Sequence, residues 1–456
     1  MTGPKGTKRL SPAQRGALIA QVRASSPAPQ AKSEPTIRYE TPGFDTLPGF
    51  EAMRTQQGVA DLLGLANPFY RLHEMRAGAR SQIGGRPLVN FTSYDYLGLN
   101  GHAGIAAEVA DAAALWGTSV SASRLTSGER PFHRELEREI AAIYGAEDAL
   151  TFVSGHATNI SAIAALVGAK DLVLHDALAH NSIVVGVELS GAHRRLFPHN
   201  DLDVLEALLS DARGQYERCL IITEGLFSMD GDGPDLERLV QIKARYGAWL
   251  MIDEAHSLGV LGATGKGIAE HSGVDPAEVD IWMGTLSKSL VSCGGYIAGS
   301  ALLIEYLKFH AAGMVYSVGL APTVSIAALA ALRLMRREPE RVKALQDNGN
   351  YFLEKAKAHG LDIGKSWGYA VTPIIIGDSL RTVMLSERLL ARGFAVVPVI
   401  PPGVPEKSAR LRFFISAGHR HEDLDQVIEA TVEELNDLET EGVSVTEYAR
   451  RIIVDG

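Results

Sequence analysis

The chain has 456 residues, 46% of them apolar, and a formal charge of −10. That length and apolar content can bury a large core split between a larger and a smaller domain, and the acidic balance argues against a general nucleic-acid binder while leaving small anionic substrates open. Two cysteines, Cys219 and Cys293, are too few for a disulfide framework and point to a reducing, cytoplasmic compartment.

Ser11-Pro12 reads as an N-cap followed by proline at the first helical position, and Leu18, Ile19 and Val22 continue a short amphipathic helix. A Ser/Pro/Ala-rich linker follows over 25–35, so residues 1–48 are expected to be a mobile extension outside the catalytic fold. Lys5, Lys8 and Arg9 have no apolar run behind them, which speaks against a secretory signal. The helix-plus-linker pattern resembles segments between units of modular polyketide and nonribosomal peptide synthases and hints at a carrier protein nearby. From about Leu88 onward, apolar strands at 149–153, 172–175, 219–223, 249–252, 281–283 and 296–298 alternate with helical stretches such as 202–209 and 236–246. This alternation predicts an α/β fold with a mostly parallel sheet covered on both faces. The run 314–335 is the nearest approach to a membrane span, but Pro322 and Arg333 lie in it, so a core helix is expected. A helix at 342–359 then leads into strands at 371–376, 395–399 and 411–416, which read as a smaller C-terminal α/β domain.

Three of the strands stop at polar residues: Glu224, Asp253, and Thr285 with Lys288 close behind. Ligands of open α/β sheets sit at such carboxyl ends. A lysine there can form a Schiff base with an aldehyde cofactor, and an aspartate there can pair with a protonated pyridine nitrogen. Lys288 and Asp253 together therefore predict a pyridoxal phosphate (PLP) enzyme. Ser154-Gly155-His156-Ala157-Thr158-Asn159 follows a strand and opens a helix, so the amides near Gly155 and His156 form a phosphate cradle, with hydroxyls from Thr285 and Ser287 beside it. His180 lies just past a strand and could stack on a flat cofactor, and His256, three residues after Asp253, could reach its phenolic oxygen. Glu224 and Ser228 stand at a third strand end; taken alone they read as loop polar groups, and beside Asp253 and Lys288 they are counted among the cofactor-binding candidates. Arg410 and Arg412 alternate along a strand, face one side, and suit bidentate recognition of a carboxylate. No metal-ligand set is expected. Asp253-Glu254-Ala255-His256 also spells a helicase signature, but the one accompanying phosphate-loop candidate, Gly364-Lys365-Ser366, has His359 where the first glycine belongs and follows the acidic motif, which removes that reading.

With Ser93-Tyr94-Asp95-Tyr96-Leu97-Gly98, His180-Asn181-Ser182, Glu224-Gly225-Leu226-Phe227-Ser228, Thr285-Leu286-Ser287-Lys288, Tyr316-Ser317 and Arg410-Leu411-Arg412, the chain resembles the α-oxoamine synthase family of PLP enzymes from about Phe50 to Leu438. Its members include serine palmitoyltransferase, whose motifs around Lys288 and Asp95 are the most similar, and 8-amino-7-oxononanoate synthase. The resemblance implies PLP-dependent transferase fold type I, aspartate aminotransferase-like. It also implies an N-terminal segment 49–100 packing on the dimer, a large PLP-binding domain 101–337, a small domain 338–456, and a homodimer with its sites at the interface. It assigns Lys288 to the internal aldimine, Asp253 to the pyridine nitrogen, His256 to the phenolic oxygen, His180 to stacking, and Gly155, His156 and Thr285 to phosphate. Arg412, and after it Arg410, would take the substrate carboxylate. Ser123, before Arg124, stands where serine palmitoyltransferase and oxononanoate synthase carry serine, which favours serine or alanine over glycine.

Two departures bear on substrate detail. Only Ser317 remains close to Val318-Gly319, where relatives place a hydroxyl for the neighbouring subunit's phosphate, and Tyr94 stands where several have asparagine. The implied activity is decarboxylative condensation of a small amino acid with an acyl thioester of coenzyme A or a carrier protein, giving an α-aminoketone. Oxononanoate synthase-type or glycine C-acyltransferase activity, a PLP aminotransferase or lyase, and a catalytically silent partner subunit are the alternatives. Retention of Lys288, Asp253 and His256 argues against the last.

Overall fold

Short apolar runs rich in Val, Ile and Leu become the buried strands of a parallel sheet, because helices cover both of its faces. The computed structural model describes residues 11–25, 41–62 and 66–447. Met1–Gly64 and Leu65–Gly456 form separate units. The first holds the helices Pro12–Ser25 and Phe50–Leu62. Ser11 caps the former as expected: its Oγ accepts from Gln14 N at 3.2 Å while Gln14 Oε1 accepts from Ser11 N at 3.0 Å. Beyond Ser25, the expected linker lies outside the described residues.

Among its described residues the second unit carries thirteen strands: β1 (Arg80–Ile83), β2 (Arg86–Asn90), β3 (Asp148–Phe152), β4 (Leu172–Asp176), β5 (His193–Phe197), β6 (Cys219–Glu224) and β7 (Trp249–Asp253). They continue as β8 (Ile281–Thr285), β9 (Gly295–Gly299), β10 (Val371–Ile375), β11 (Phe394–Ala395), β12 (Val397–Val399) and β13 (Arg410–Phe414). Seven form the central sheet in the order β3-β9-β8-β7-β6-β4-β5. Strands β8, β7, β6, β4 and β5 pair in parallel, and β9 is antiparallel to both its neighbours. Strand β3 therefore points the same way as the parallel set, and six strands deliver their carboxyl ends to one edge.

Alternate strand residues go to opposite faces. Leu172, Ile221, Leu250 and Trp282 enter one apolar core, and Val173, Leu220, Met251 and Met283 enter the other. Across the first, Tyr144 stacks on Trp282 with centroids 4.7 Å apart. The run around 322–335 is a helix, Pro322–Arg337, with proline in its first turn, and among the described residues no helix is long and apolar enough to cross a membrane.

The expected strands are present, and three of them run far enough to make Glu224, Asp253 and Thr285 their last residues. Strand β5 went unseen in the sequence because its residues His-Arg-Arg-Leu-Phe form an exposed sheet edge without an apolar run. The segment 395–399 is interrupted at Val396, which separates β11 from β12. These two strands then diverge: β12 pairs with β13 in the sheet β10-β13-β12, whereas β11 pairs with β2, so residues near both ends of the unit share a small sheet.

Candidate active site

Close approach of the helix that follows β3 to the sheet sets one wall of the site. A Cβ on Gly155 would meet Thr285 Oγ1 at 3.0 Å, and one on Gly295 would come within 2.7 Å of Gly155 Cα, so glycine at both positions lets the helix Gly155–Leu166 begin against β8 and β9. Ser154 caps it, its Oγ accepting from Ala157 N at 3.1 Å and its carbonyl from Thr158 N at 3.0 Å. The amides of Gly155 and His156 remain ahead of these bonds, at the positive end of the helix dipole. Thr285 Oγ1 lies 2.8 Å from Ser287 Oγ, which places both hydroxyls beside that start.

Asp253, 4% exposed at the end of β7, accepts from Ala255 N through Oδ1 and from Asn159 Nδ2 through Oδ2, each at 2.9 Å. The same Asn159 Nδ2 donates to Ser182 Oγ at 2.9 Å, and Ser182 Oγ lies 2.7 Å from His180 Nδ1. Since His180 Nδ1 also accepts from Ser182 N at 3.2 Å, capping the helix Asn181–Ser190, its proton belongs on Nε2. Burial holds His180 below the usual imidazole pKa despite Asp253 nearby. Glu224 receives His180 N at 2.7 Å, and burial followed by repulsion from Asp253 pushes its carboxyl well above the usual carboxylate range. Asn159 and Ser182 thus connect Asp253 to His180, a link that spacing could not reveal because it spans 94 residues.

His256 is buried and held well below the usual imidazole pKa, first by desolvation and then by the positive charges of Lys288 and Arg412. Its Nδ1 lies 2.7 Å from the Tyr96 hydroxyl, whose pKa burial raises; the phenol therefore donates to Nδ1 and leaves Nε2–H free to donate. Lys288 is half-buried, and desolvation lowers its ammonium pKa against the opposing pull of Asp253 and Glu224. Its Nζ stands 5.7 Å from the Tyr94 ring centroid and has no hydrogen-bond acceptor among the described residues. The Tyr94 ring also packs edge-on against His256 and Phe414, at 6.0 and 4.9 Å. Tyr94, Ser93, Ser287, Lys288 and Val291 line a cavity of about 450 Å³.

The two arginines of β13 differ. Arg410 is buried and spent on the protein, donating through Nη1 to Asp230 Oδ1 at 2.7 Å and to Met229 O at 3.0 Å. Arg412 stacks on Phe414 with Cζ 4.5 Å from the ring and donates through Nη1 only to Ser228 O and Met229 Sδ, both at 3.3 Å, while its buried Nε has no acceptor. A bidentate carboxylate can complete Arg412 but not Arg410. Ser228 contributes its carbonyl to this contact. Ser123 pairs with Thr126 Oγ1 at 3.2 Å on the turn Arg124–Gly128, and Ser317 is half-buried on the neighbouring segment, joined to that turn by Gly319 N donating to Ala122 O at 3.0 Å. Neither serine touches the cluster around Lys288.

A larger cavity of about 790 Å³ opens at the opposite edge of the sheet beside Trp249, Asp280 and Ser300, but Lys288, Glu224 and the imidazoles of His180 and His256 lie at the carboxyl edge. The groups at the carboxyl edge suit PLP: a lysine with a lowered pKa for an aldehyde, a buried carboxylate for a ring cation, and helix amides with two hydroxyls for a phosphate.

The sequence profile of the aminotransferase class I and II family matches residues 86–430. A putative 8-amino-7-oxononanoate synthase of Gloeobacter violaceus is 41% identical over 363 residues, which is 79% of this chain and 92% of the relative. The 4-hydroxy-2,2'-bipyrrole-5-methanol synthase PigH of a Serratia strain is 39% identical over 75% of this chain and 52% of its own length. Serine palmitoyltransferase of S. paucimobilis, solved with a PLP–myriocin aldimine, superposes with a TM-score of 0.83 at 25% identity, covering 87% of this chain and all of the other. Joined to the arrangement around Lys288, these likenesses mean that the chain belongs to the class I and II aminotransferase family, among its α-oxoamine synthases.

Proposed function

We propose that this enzyme condenses a small amino acid, serine or alanine, with an acyl thioester and expels carbon dioxide and the thiol, using PLP as cofactor, to yield an α-aminoketone. The observation that carries this reading is the chain Asp253–Asn159–Ser182–His180 set beside a lysine of lowered pKa at one sheet edge. When bound, PLP supplies an electron sink for charge at the amino acid's α-carbon.

The protein's groups would do the rest. Lys288 would hold the cofactor's aldehyde and, once displaced by the amino acid, act as general base toward the α-proton, a task its lowered pKa favours. Asp253 would keep the pyridine nitrogen protonated, with Asn159 and Ala255 fixing the carboxylate. His180, its tautomer set by Ser182, would cover the ring, and His256 would donate Nε2–H to the phenolic oxygen. Gly155, His156, Thr285 and Ser287 would receive the phosphate. Arg412 would orient the amino acid's carboxylate until it leaves. In the substrates, the α-carbon bonds to the acyl carbon, the C–S bond breaks to free the thiol, and the α-carbon–carboxyl bond breaks to release carbon dioxide. A proton then returns to the α-carbon.

We also infer a homodimer acting in the cytoplasm. Leu125, Tyr316 and Val318 are 51%, 88% and 48% exposed around the Ala122–Gly319 hydrogen bond, an apolar cluster that favours a protein interface. Sedimentation of the purified protein should give a two-chain species. To test the reaction, serine, alanine and glycine are each incubated with coenzyme A and carrier-protein thioesters of graded chain length. Mass spectrometry should find an aminoketone, with carbon dioxide and free thiol released in equal amounts. Nitrogen transfer to a keto acid without thiol release would sink the reading in favour of an aminotransferase. Lys288→Ala should abolish turnover in either case.

A further inference from the structure

Beside the site lies a buried charged cluster that the chemistry above leaves unused. Asp176 ends β4 fully buried, Asp232 lies 4% exposed in the loop after β6, and His199 stands between them, two residues past the end of β5. His199 Nδ1 is 3.0 Å from Asp176 Oδ1, and Nε2 is 3.1 Å from Asp232 Oδ2. Both ring nitrogens face carboxylate oxygens, an arrangement that a doubly protonated imidazole satisfies, and Asn200 Nδ2 also lies 3.3 Å from Nε2. Burial alone would lower the pKa of His199, but the two carboxylates overcome it and raise the value to about 10.

The remaining donors show what the cluster organises. Asp176 also accepts Leu178 N at 2.8 Å through Oδ1 and Asn200 N at 2.8 Å through Oδ2, which fixes the turn running from β4 into His180. Asn200 Nδ2 reaches Asp232 Oδ2 at 3.3 Å and Gly233 O at 3.1 Å. The carbonyl of Asp232 accepts Phe227 N at 2.8 Å, closing the loop 225–233 on itself, and the His199 ring packs edge-on against Phe227 with centroids 4.5 Å apart. From that loop, Ser228 and Met229 hold Arg412, and Asp230 holds Arg410. One imidazole therefore joins the segment that carries His180 to the segment that grips the arginines of β13.

We propose that His199, bridging Asp176 and Asp232, is a positioning residue that locks the loop 225–233 so that Arg412 is ready for the amino acid's carboxylate, and that steadies the turn under His180. Neutral replacement leaves two buried carboxylates facing each other, so the loop loosens while Asp253, at the end of β7, and Lys288, three residues past β8, keep their places. The proposal rests on the roles given above to Arg412 and His180.

The test compares the unaltered holoenzyme with His199→Gln and, independently, Asp232→Asn. Amino-acid affinity is read from the change in cofactor absorbance without any thioester, kcat and KM are read with it, and hydrogen exchange is followed along the chain. Loss of the charged clamp should weaken amino-acid binding about tenfold and raise its KM more than it lowers kcat. Exchange should rise in residues 177–182 and 225–233 while the strands stay protected. An unaltered enzyme that shows no absorbance response to any amino acid overturns the reading of the site and this proposal with it. A response in the unaltered enzyme that the variants match, in affinity and in exchange, overturns the positioning role alone. Variants that cannot fold, or that fold with protection lost evenly along the chain, make the cluster a stability element and overturn it as well.

Discussion

Asn159 shows how one side chain can tie two proposed cofactor contacts together. Its single amide nitrogen donates to Asp253 and to Ser182, so Asn159→Ala strips the buried carboxylate of a donor and unfastens the hydroxyl that fixes the His180 tautomer. A lost hydrogen bond to a charged group costs about 1.5–3 kcal/mol, which predicts a fall of roughly ten- to a hundredfold in kcat/KM, with PLP still bound because Lys288 and the helix amides are untouched. Steady-state kinetics and cofactor absorbance would check both halves; loss of PLP with normal kinetics after reconstitution would contradict them. Lys288 and Asp253 were legible in the sequence because each follows a short apolar run, and strand ends are where α/β sheets bind ligands. Asn159 stood in a motif already singled out as a phosphate turn, yet its partner Asp253 lies on β7, 94 residues along the chain, and no local spacing encodes such a contact. His199 was missed for the same reason, since its two carboxylates arrive from β4 and from the loop after β6.

On β13, period-two alternation places Arg410 and Arg412 on one face, but alternation cannot tell which guanidinium the protein consumes. The loop after β6 decides it by giving Asp230 to Arg410 and only a carbonyl and a thioether to Arg412. Two outcomes follow. Arg412→Ala should raise the amino-acid KM by about tenfold or more at nearly unchanged thermal stability, because an interaction with an ionised carboxylate is lost and the site can admit water in its place. Arg410→Ala leaves Asp230 without its partner in a largely buried setting and should destabilise the fold by about 3 kcal/mol. Thermal melts alongside amino-acid titrations separate the two, and the reverse pattern would reassign the carboxylate contact to Arg410. At this scale the apolar interior strands of the central sheet were readable to within two residues, since burial on both faces demands continuous Val, Ile and Leu. The edge strand β5 and the short hairpin β1–β2 were not, because exposed edges need no apolar run and their pairing is set by distant segments, as when β2 meets β11.

For the molecule as a whole, four groups outside the proposed cofactor contacts contribute to the dependence of stability on pH, and their signs can be worked out one at a time. His419 stacks on Phe91, accepts from Ser416 N at 3.0 Å and lies 3.1 Å from Asn90 O, and desolvation lowers its pKa to about 4. Below its ordinary value of 6.5 the unfolded chain binds the proton more readily, so stability falls as pH drops from there through 4. Asp423, held at about 2 by Arg420 and Arg80 against the opposing effect of burial, adds stability above its ordinary 3.8 that is lost as pH falls through 2. On the alkaline side the signs reverse. Burial raises Glu254 from 4.5 to about 8, so the folded state binds its proton more tightly and stability declines across that interval as pH rises. His199 contributes fully below 6.5, and its contribution drains away as pH climbs through 10. The acid pair and the alkaline pair therefore oppose each other, with the optimum where Glu254 has begun to cost little and His419 has ceased to cost much, between about pH 5 and 6.5. Calorimetric melting of the apoprotein from pH 3 to 10 should give a single maximum in that window. His199→Gln should lower the maximum and flatten the decline above pH 7, while Glu254→Gln should flatten the decline between about pH 6.5 and 8. A melting temperature that keeps rising beyond pH 8 would mean that neither His199 nor Glu254 carries its proton into the folded state.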